Sequence, residues 1–185
     1  LMLSLGVDKV LAIGGAVAVT YCSYNFQIIQ VGHNTKMQAI AFLPWVLAAV
    51  IFTYRSALRP WLCSALRQAQ EPDKQVAEPA ETAKGWKSWL PRTLLGAVLF
   101  GFALSFQIKA NHQQITYYLA IMIVIYALYL FLRICLEKTG HFGERSDRRG
   151  AFGRFFAASA LLLVIGLVGI GTNTIKLAPL YEYTQ

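Results

Sequence analysis

The sequence predicts an all-α integral membrane protein with five transmembrane helices, built as two similar hairpins plus a fifth span, N-terminus inside and C-terminus outside. The first observation behind this prediction is composition: 56% of the 185 residues are hydrophobic and only 14% are charged, against about 25% charged in soluble domains. The second is position. All nine carboxylates lie outside the long apolar runs, as hydrocarbon requires, because a charge at mid-depth is costly.

Five apolar runs approach or reach the length of a membrane-crossing helix, which is about 20 residues. None of them alternates polar and apolar residues, so a transmembrane β-barrel is excluded. The first run is too long for a signal-peptide core and has no small-residue cleavage site, so it is predicted to be a retained span. The predicted spans are residues 10–30, 38–54, 90–108, 115–135 and 151–172.

The orientation follows from lysine and arginine. Fourteen of the 17 lie before the first span, in the segments that follow the second and fourth spans, or at the span ends that adjoin those segments. Only Lys36, Lys109 and Lys176 fall on the other side. The positive-inside rule then predicts a cytoplasmic N-terminus and an external tail in a bacterial inner membrane.

The segments between the spans differ in kind. Residues 71–84 are rich in Glu, Pro, Ala and Lys and are predicted to be a flexible linker. Pro60 is expected to end the second helix ahead of an amphipathic segment. The predicted divisions are the first hairpin (1–56), the cytoplasmic amphipathic segment with its linker (57–89), the second hairpin (90–136), a basic cytoplasmic loop (137–150), and the fifth span with its tail (151–185).

Basic residues at the span ends are predicted to contact lipid headgroups. A net charge of +8 would also suit a nucleic-acid-binding protein, but the clustering of the cations beside apolar spans argues against that class. The predicted partners are therefore the lipid bilayer and other membrane subunits or further copies of the chain, without nucleic acid. The headgroup candidates are Arg55, Arg59, Arg145, Arg148 and Arg149.

A short pattern occurs twice. Gly-Ala-Val at residues 15–17 returns at 96–98, and Phe-Gln-Ile at 26–28 returns at 106–108. Each copy is followed by a turn with His and Asn and then by a second apolar run that ends at arginine. The pattern favours two related hairpins that run in the same direction, a parallel repeat.

The repeated polar residues are the candidate binding site, and two interpretations stay open. In the first, Gln27 and Gln107 form hydrogen bonds across their hairpins, while His33 and His112 are exposed turn residues. In the second, all four line one external pocket that holds a metal ion, a quinone or a lipid headgroup. Two histidines without carboxylate or thiolate ligands make a poor metal site, so neither a metal nor a cofactor is predicted.

Tyr118, Tyr126 and Tyr129 lie on one stripe of the fourth span. Tyrosine hydroxyls within a membrane need partners. They either form hydrogen bonds to a neighbouring helix, line a water-filled path or bind a lipid-like ligand. Small residues on the first, third and fifth spans, among them Gly14, Gly96 and Gly153, predict close helix packing.

Known catalytic patterns are absent from the sequence. No span carries Asp, Glu, Lys, Arg or His near its middle, and there is no phosphate-binding loop, nucleophile elbow or paired zinc-ligand motif. We therefore predict that the chain is not an enzyme but a non-catalytic scaffold, sensor or accessory subunit of a membrane complex or homo-oligomer. The alternative is an oligomeric channel or transporter for a neutral or lipidic solute, and the third hypothesis is a quinone- or lipid-binding enzyme subunit.

Overall fold

The computed structural model describes residues 1–70, 86–110, 112–136 and 145–174, with the backbone alone at 59–70, 86–88 and 145–148. Throughout this part of the chain the regular structure is α-helical. The predicted linker at 71–84, most of the basic loop and the tail after Thr174 lie outside the described residues. The helices are α1 (Met2–Leu5), α2 (Lys9–Thr20), α3 (Ser23–Gln30), α4 (Asn34–Gln70), α5 (Trp86–Lys109), α6 (Gln113–Leu136) and α7 (Arg145–Gly171).

Four of the described helices are long and apolar enough to cross a membrane. They agree with the second to fifth predicted spans within four residues at each end. An all-helical chain with four such helices is compatible with a multi-pass membrane protein. The segments are Asn34–Leu58, Trp89–Lys109, Gln113–Leu136 and Arg149–Gly171.

The first predicted span is not one helix. It divides into α2, with 12 residues, and α3, with 8, at Tyr21 and Cys22. The amide Nδ2 of the buried Asn25 donates to the carbonyl oxygen of Val19 at 2.7 Å and to that of Thr20 at 3.4 Å. These contacts replace backbone hydrogen bonds at the end of α2. The prediction of a continuous helix over 10–30 is therefore wrong.

Two other expectations also fail. The backbone of α4 remains helical through Pro60 to Gln70, so Pro60 does not end the helix; a proline removes one intrahelical hydrogen bond, and membrane helices tolerate this when the freed carbonyl finds another partner. The two copies of the sequence pattern also differ in structure. Residues 15–17 and 26–28 lie on separate helices, whereas 96–98 and 106–108 share α5.

Helix α5 packs against both α4 and α7. It runs antiparallel to α4, because Gly96 lies against Thr53 at one end and Phe106 stacks on Phe42 at the other, with ring centroids 5.4 Å apart. It runs parallel to α7, where Gly169 lies against the backbone of Gly101. Small residues at these contacts let the helices approach closely, which is the main source of helix association in lipid.

Helix α6 packs on the side of α4 and α7. The rings of Tyr126 and Tyr54 meet edge-on, with their centroids 6.1 Å apart. The ring centroid of Phe131 lies 5.9 Å from those of both Phe152 and Phe155. The aromatic contacts make α6 antiparallel to α7. The buried core between the four helices includes Val46, Val50, Leu58, Ala97, Phe100, Leu119, Leu130, Ile134, Ala158 and Leu162.

These helix directions collect arginine at one end of the bundle. We call it the cationic end; the far end is the opposite one, where α4 begins and α5 stops. The far end carries Lys36 and Lys109. The described arginines of the cationic end are Arg55, Arg92, Arg133, Arg149 and Arg154.

The N-terminal segment lies alongside α4 in the opposite direction. At the cationic end the Nη1 of Arg55 donates to the carbonyl oxygen of Ser4 at 2.6 Å. Near the far end the Nζ of Lys36 lies 5.5 Å from the centre of the Tyr24 ring. These contacts, one through α1 and one through α3, place residues 4 and 24 at opposite ends of the apolar part of α4.

Candidate functional site

Gln107 is the most unusual polar residue in the described bundle. Its side chain is completely buried, and neither Oε1 nor Nε2 has a hydrogen-bond partner within the described residues. It shares one buried stripe of α5 with Thr93, Ala97, Phe100 and Ala103, at spacings of three and four residues. An unpaired buried amide lowers stability by about 1–3 kcal/mol, so this position invites a functional explanation.

His112 follows directly after the end of α5. Its carbonyl oxygen accepts hydrogen bonds from the backbone N and the Oγ1 of Thr116, both at 3.4 Å, so it begins α6. Its Nδ1 is buried and has no partner among the described residues. Gln107 and His112 therefore give three unsatisfied buried polar atoms within six residues of each other at the far end.

The other two members of the predicted pocket lie elsewhere. The side chains of Gln27 and His33 are exposed, and the backbone N of His33 donates to the carbonyl oxygen of Ile28 to close the turn before α4. The described contacts do not bring these four side chains together. The single pocket formed by all four residues therefore stays a prediction.

We predict that Gln107→Leu raises the stability of the purified protein by about 1 kcal/mol, because it replaces an unpaired amide with an apolar group of similar shape. Thermal unfolding in detergent measures the change. Gln27→Leu is the matched control, with no expected effect at an exposed site. A clear loss of stability in Gln107→Leu would show that the amide has a partner, such as a buried water or a bound group.

Among the described side chains at the far end, one group of polar residues is joined by hydrogen bonds. The hydroxyls of Ser105 and Thr172 lie 3.1 Å apart, and the Nδ2 of Asn173 donates to the Oγ of Ser105 at 3.0 Å. It also donates to the carbonyl oxygen of Gly169 at 3.2 Å. This network fastens the end of α7 to α5. Sequence reasoning missed it, because the three residues come from segments 68 positions apart.

The predicted tyrosine stripe lies mostly on the surface of the described bundle. Tyr118 and Tyr129 are exposed, and Tyr126 is half-buried against Tyr54. The hydroxyl of Tyr54 lies 2.9 Å from the Oγ of Ser159, which donates in turn to a backbone carbonyl of α7. The polar contacts at this level are therefore local helix-to-helix bonds.

The predicted headgroup arginines are only partly described. Arg55 is half-buried and binds the N-terminal segment through Ser4, while Arg149 is exposed. The side chains of Arg59, Arg145 and Arg148 lie outside the described set. Arg133, which was not among the candidates, lines a surface groove of about 450 Å³ with Tyr129, Leu132 and Leu136.

Trp45 is a second feature that the sequence analysis passed over. It lies at the middle of the apolar part of α4, yet 71% of its surface is exposed. Tryptophan in membrane proteins usually lies at the bilayer surface, where its N–H can reach a polar partner. Its position halfway along an apolar run was a signal that the sequence already offered.

Metal ligation has no support where the structure is described. No three side chains of His, Cys, Asp or Glu gather closely enough to hold an ion there. Cys22 and Cys135 are free and exposed. Comparison with protein-family models, with curated proteins and with solved structures gives no match for this chain.

Proposed function

We propose that this chain is a non-catalytic, multi-spanning inner-membrane protein that acts as a scaffold, sensor or accessory subunit of a membrane complex or homo-oligomer. The observation that carries the proposal is Trp45. A large aromatic ring with a hydrogen-bond donor is poorly placed against lipid tails at mid-depth. Tryptophan is also the residue most enriched among the energetic centres of protein interfaces. Contact with a partner helix explains both facts.

Helix α2 supports the same proposal. Eleven of its 12 residues are not buried, and only Ala12 is. A Cβ added at Gly14 would meet no atom within 4 Å. Transmembrane helices associate through at least one closely packed face. α2 is contacted by the thioether of Met2 at Gly15 but hardly by the bundle, so we infer that a partner supplies its packing face.

The test is Trp45→Ala in the complex extracted from native membrane. We expect loss of partner subunits or of the homo-oligomer, with the interface weakened by roughly 2 kcal/mol, about thirtyfold in affinity. Native mass spectrometry after mild extraction reports the composition. The stability of the isolated chain should change little, because so much of the side chain is exposed.

Leu167→Ala is the matched control, since Leu167 is a large exposed residue of α7 near the level of Trp45, as the contact between Tyr54 and Ser159 indicates. It should leave the complex intact. Recovery of wild-type protein as a lone chain from native membrane would contradict the proposal. Equal losses in both variants would also contradict it, because the effect would then not belong to the surface around Trp45.

We also propose five membrane crossings, with residues 9–30 as a broken first crossing and with N-in, C-out topology. The support comes from the two contacts between the N-terminal segment and α4, Arg55 with Ser4 and Lys36 with Tyr24. From residue 36 to residue 55 an α-helix rises about 29 Å, close to the hydrocarbon thickness of roughly 30 Å. The cationic end would face the cytoplasm.

Single cysteines in a cysteine-free background test this topology with a membrane-impermeant thiol reagent on intact cells. Leu5→Cys at the cationic end should be shielded, and Thr35→Cys at the far end should react. Both positions are exposed within the protein. Gly150→Cys and Thr174→Cys serve as controls for the two sides. Equal reactivity at positions 5 and 35 would mean that residues 9–30 do not cross.

One observation favours the alternative of an oligomeric channel or transporter for a neutral or lipidic solute. Tyr118 and Tyr129 are more than half exposed on α6, the long apolar helix with the smallest buried share in the described part of the chain. In an oligomer these hydroxyls would line a shared path. Solute flux through liposomes containing the purified complex, abolished by Tyr126→Leu, would favour this alternative over the scaffold.

A further inference from the structure

The surface groove at the cationic end of α6 has the chemistry of a lipid site. Tyr129, Leu132, Arg133 and Leu136 line it. They recur at spacings of three and four residues and so form one continuous strip of the helix. Arg133 is the single charged member, and the two leucines and the tyrosine ring provide an apolar wall.

The depth of each residue suits a phospholipid. α6 ends at Leu136, so Arg133 lies about 4.5 Å and Tyr129 about 10 Å below the end of the helix, at 1.5 Å per residue. An arginine near a span end extends its charged group towards the headgroups while its stem lies along apolar surface. The ring of Tyr129 and the side chain of Leu132 lie deeper, where acyl chains begin.

The charge of the surroundings selects an anionic lipid. Arg149 and Arg92, both exposed, lie at the same end of the bundle. In the sequence, residues 133–149 carry five cations and three carboxylates, so this stretch of the chain keeps a net positive charge. A guanidinium has five N–H donors, enough to bind a phosphate and keep another contact.

We propose that this groove binds one anionic phospholipid of the adjoining leaflet, with its phosphate on the guanidinium of Arg133 and an acyl chain along Leu132 and Tyr129. The proposal depends on the chain lying in a membrane but not on the scaffold function. The site would fix α6 at a defined depth. The occupancy of the site would depend on the anionic lipid content of the membrane.

The test is native mass spectrometry of the purified wild-type protein with phosphatidylglycerol and, separately, phosphatidylcholine of the same acyl chains. We expect one phosphatidylglycerol to bind about tenfold more tightly than phosphatidylcholine, and the preference to weaken as salt is raised. Arg133→Gln should abolish the preference. Lys109→Gln, which removes one exposed cation at the far end, is the control and should keep the preference within about twofold.

A second variant tests the groove without changing the charge. Leu132→Trp fills it with a larger side chain at a partly exposed position, so the bound phosphatidylglycerol should be lost. The proposal is overturned if Arg133→Gln binds like wild type, or if Arg133→Gln and Lys109→Gln lose the lipid equally, which would indicate diffuse attraction. It is also overturned if Leu132→Trp retains the lipid, or if phosphatidylcholine binds as tightly.

Discussion

Gly169→Val should lower the stability of the purified protein by roughly 3 kcal/mol, seen as a fall of about 10 °C in the melting temperature in detergent. A Cβ at residue 169 would lie 2.9 Å from the carbonyl oxygen of Gly101 and 3.6 Å from its Cα. These are backbone atoms of α5, which cannot rotate away as a side chain can, so α5 and α7 must separate. Helices in lipid owe their association largely to such close contact.

The damage should spread to the far end of the bundle. Residue 169 lies one turn before Thr172 and Asn173, which bind Ser105. If α7 moves away from α5, these hydrogen bonds lengthen, and the backbone amides at the end of α7 should exchange with solvent faster. Hydrogen exchange of the purified protein measures this.

Gly171→Val is the matched control for residue 169. It lies two residues further along α7, where an added Cβ meets no atom within 4 Å. The control should leave the melting temperature within about 2 °C, because an open position has no contact to disturb. An equally large fall in both variants would mean that valine weakens the end of the helix and that the contact with Gly101 is not the cause.

The four long helices could be predicted from the sequence because their cause is local. A run of about 20 apolar residues without internal charge has one stable form in hydrocarbon, since a helix satisfies every backbone group within the segment. The spans at 38–54, 90–108, 115–135 and 151–172 therefore match the structure. The break at Tyr21 could not be predicted, because no proline or glycine marks it and the Asn25 side chain replaces the missing bonds.

The packing faces could be predicted only in part. Small residues show where another helix can approach closely, but they do not show which helix packs there. Gly96, Gly101 and Gly169 meet other helices, whereas Gly14 and Gly153 have open space beside them, although Gly14 and Gly153 were predicted to lie on packing faces as Gly96 was. The burial of Gln107 and the exposure of Gln27 differ for the same reason: identical Phe-Gln-Ile segments meet different neighbours.

Gly96→Ala should have a comparable effect at the interface between α4 and α5, lowering stability by roughly 2–3 kcal/mol. An added Cβ would lie 2.5 Å from the Oγ1 of Thr53, 3.0 Å from the ring of Phe52 and 3.1 Å from the Cα of Thr53. Gly153→Ala is the control, since a Cβ at that position on α7 meets open space. Thermal unfolding of both variants gives the comparison.

The contacts of Gly96 and Gly169 differ in one testable respect. The atom nearest to an added Cβ belongs to a side chain at residue 96 and to the backbone at residue 169. Thr53→Ala removes the hydroxyl, whose hydrogen bond goes only to the carbonyl oxygen of Ala49 in its own helix at 2.7 Å. The double variant should therefore recover roughly 1 kcal/mol of what the two single changes lose in sum. Strict additivity would mean that the backbone of α4, and not the Thr53 hydroxyl, sets the distance between α4 and α5.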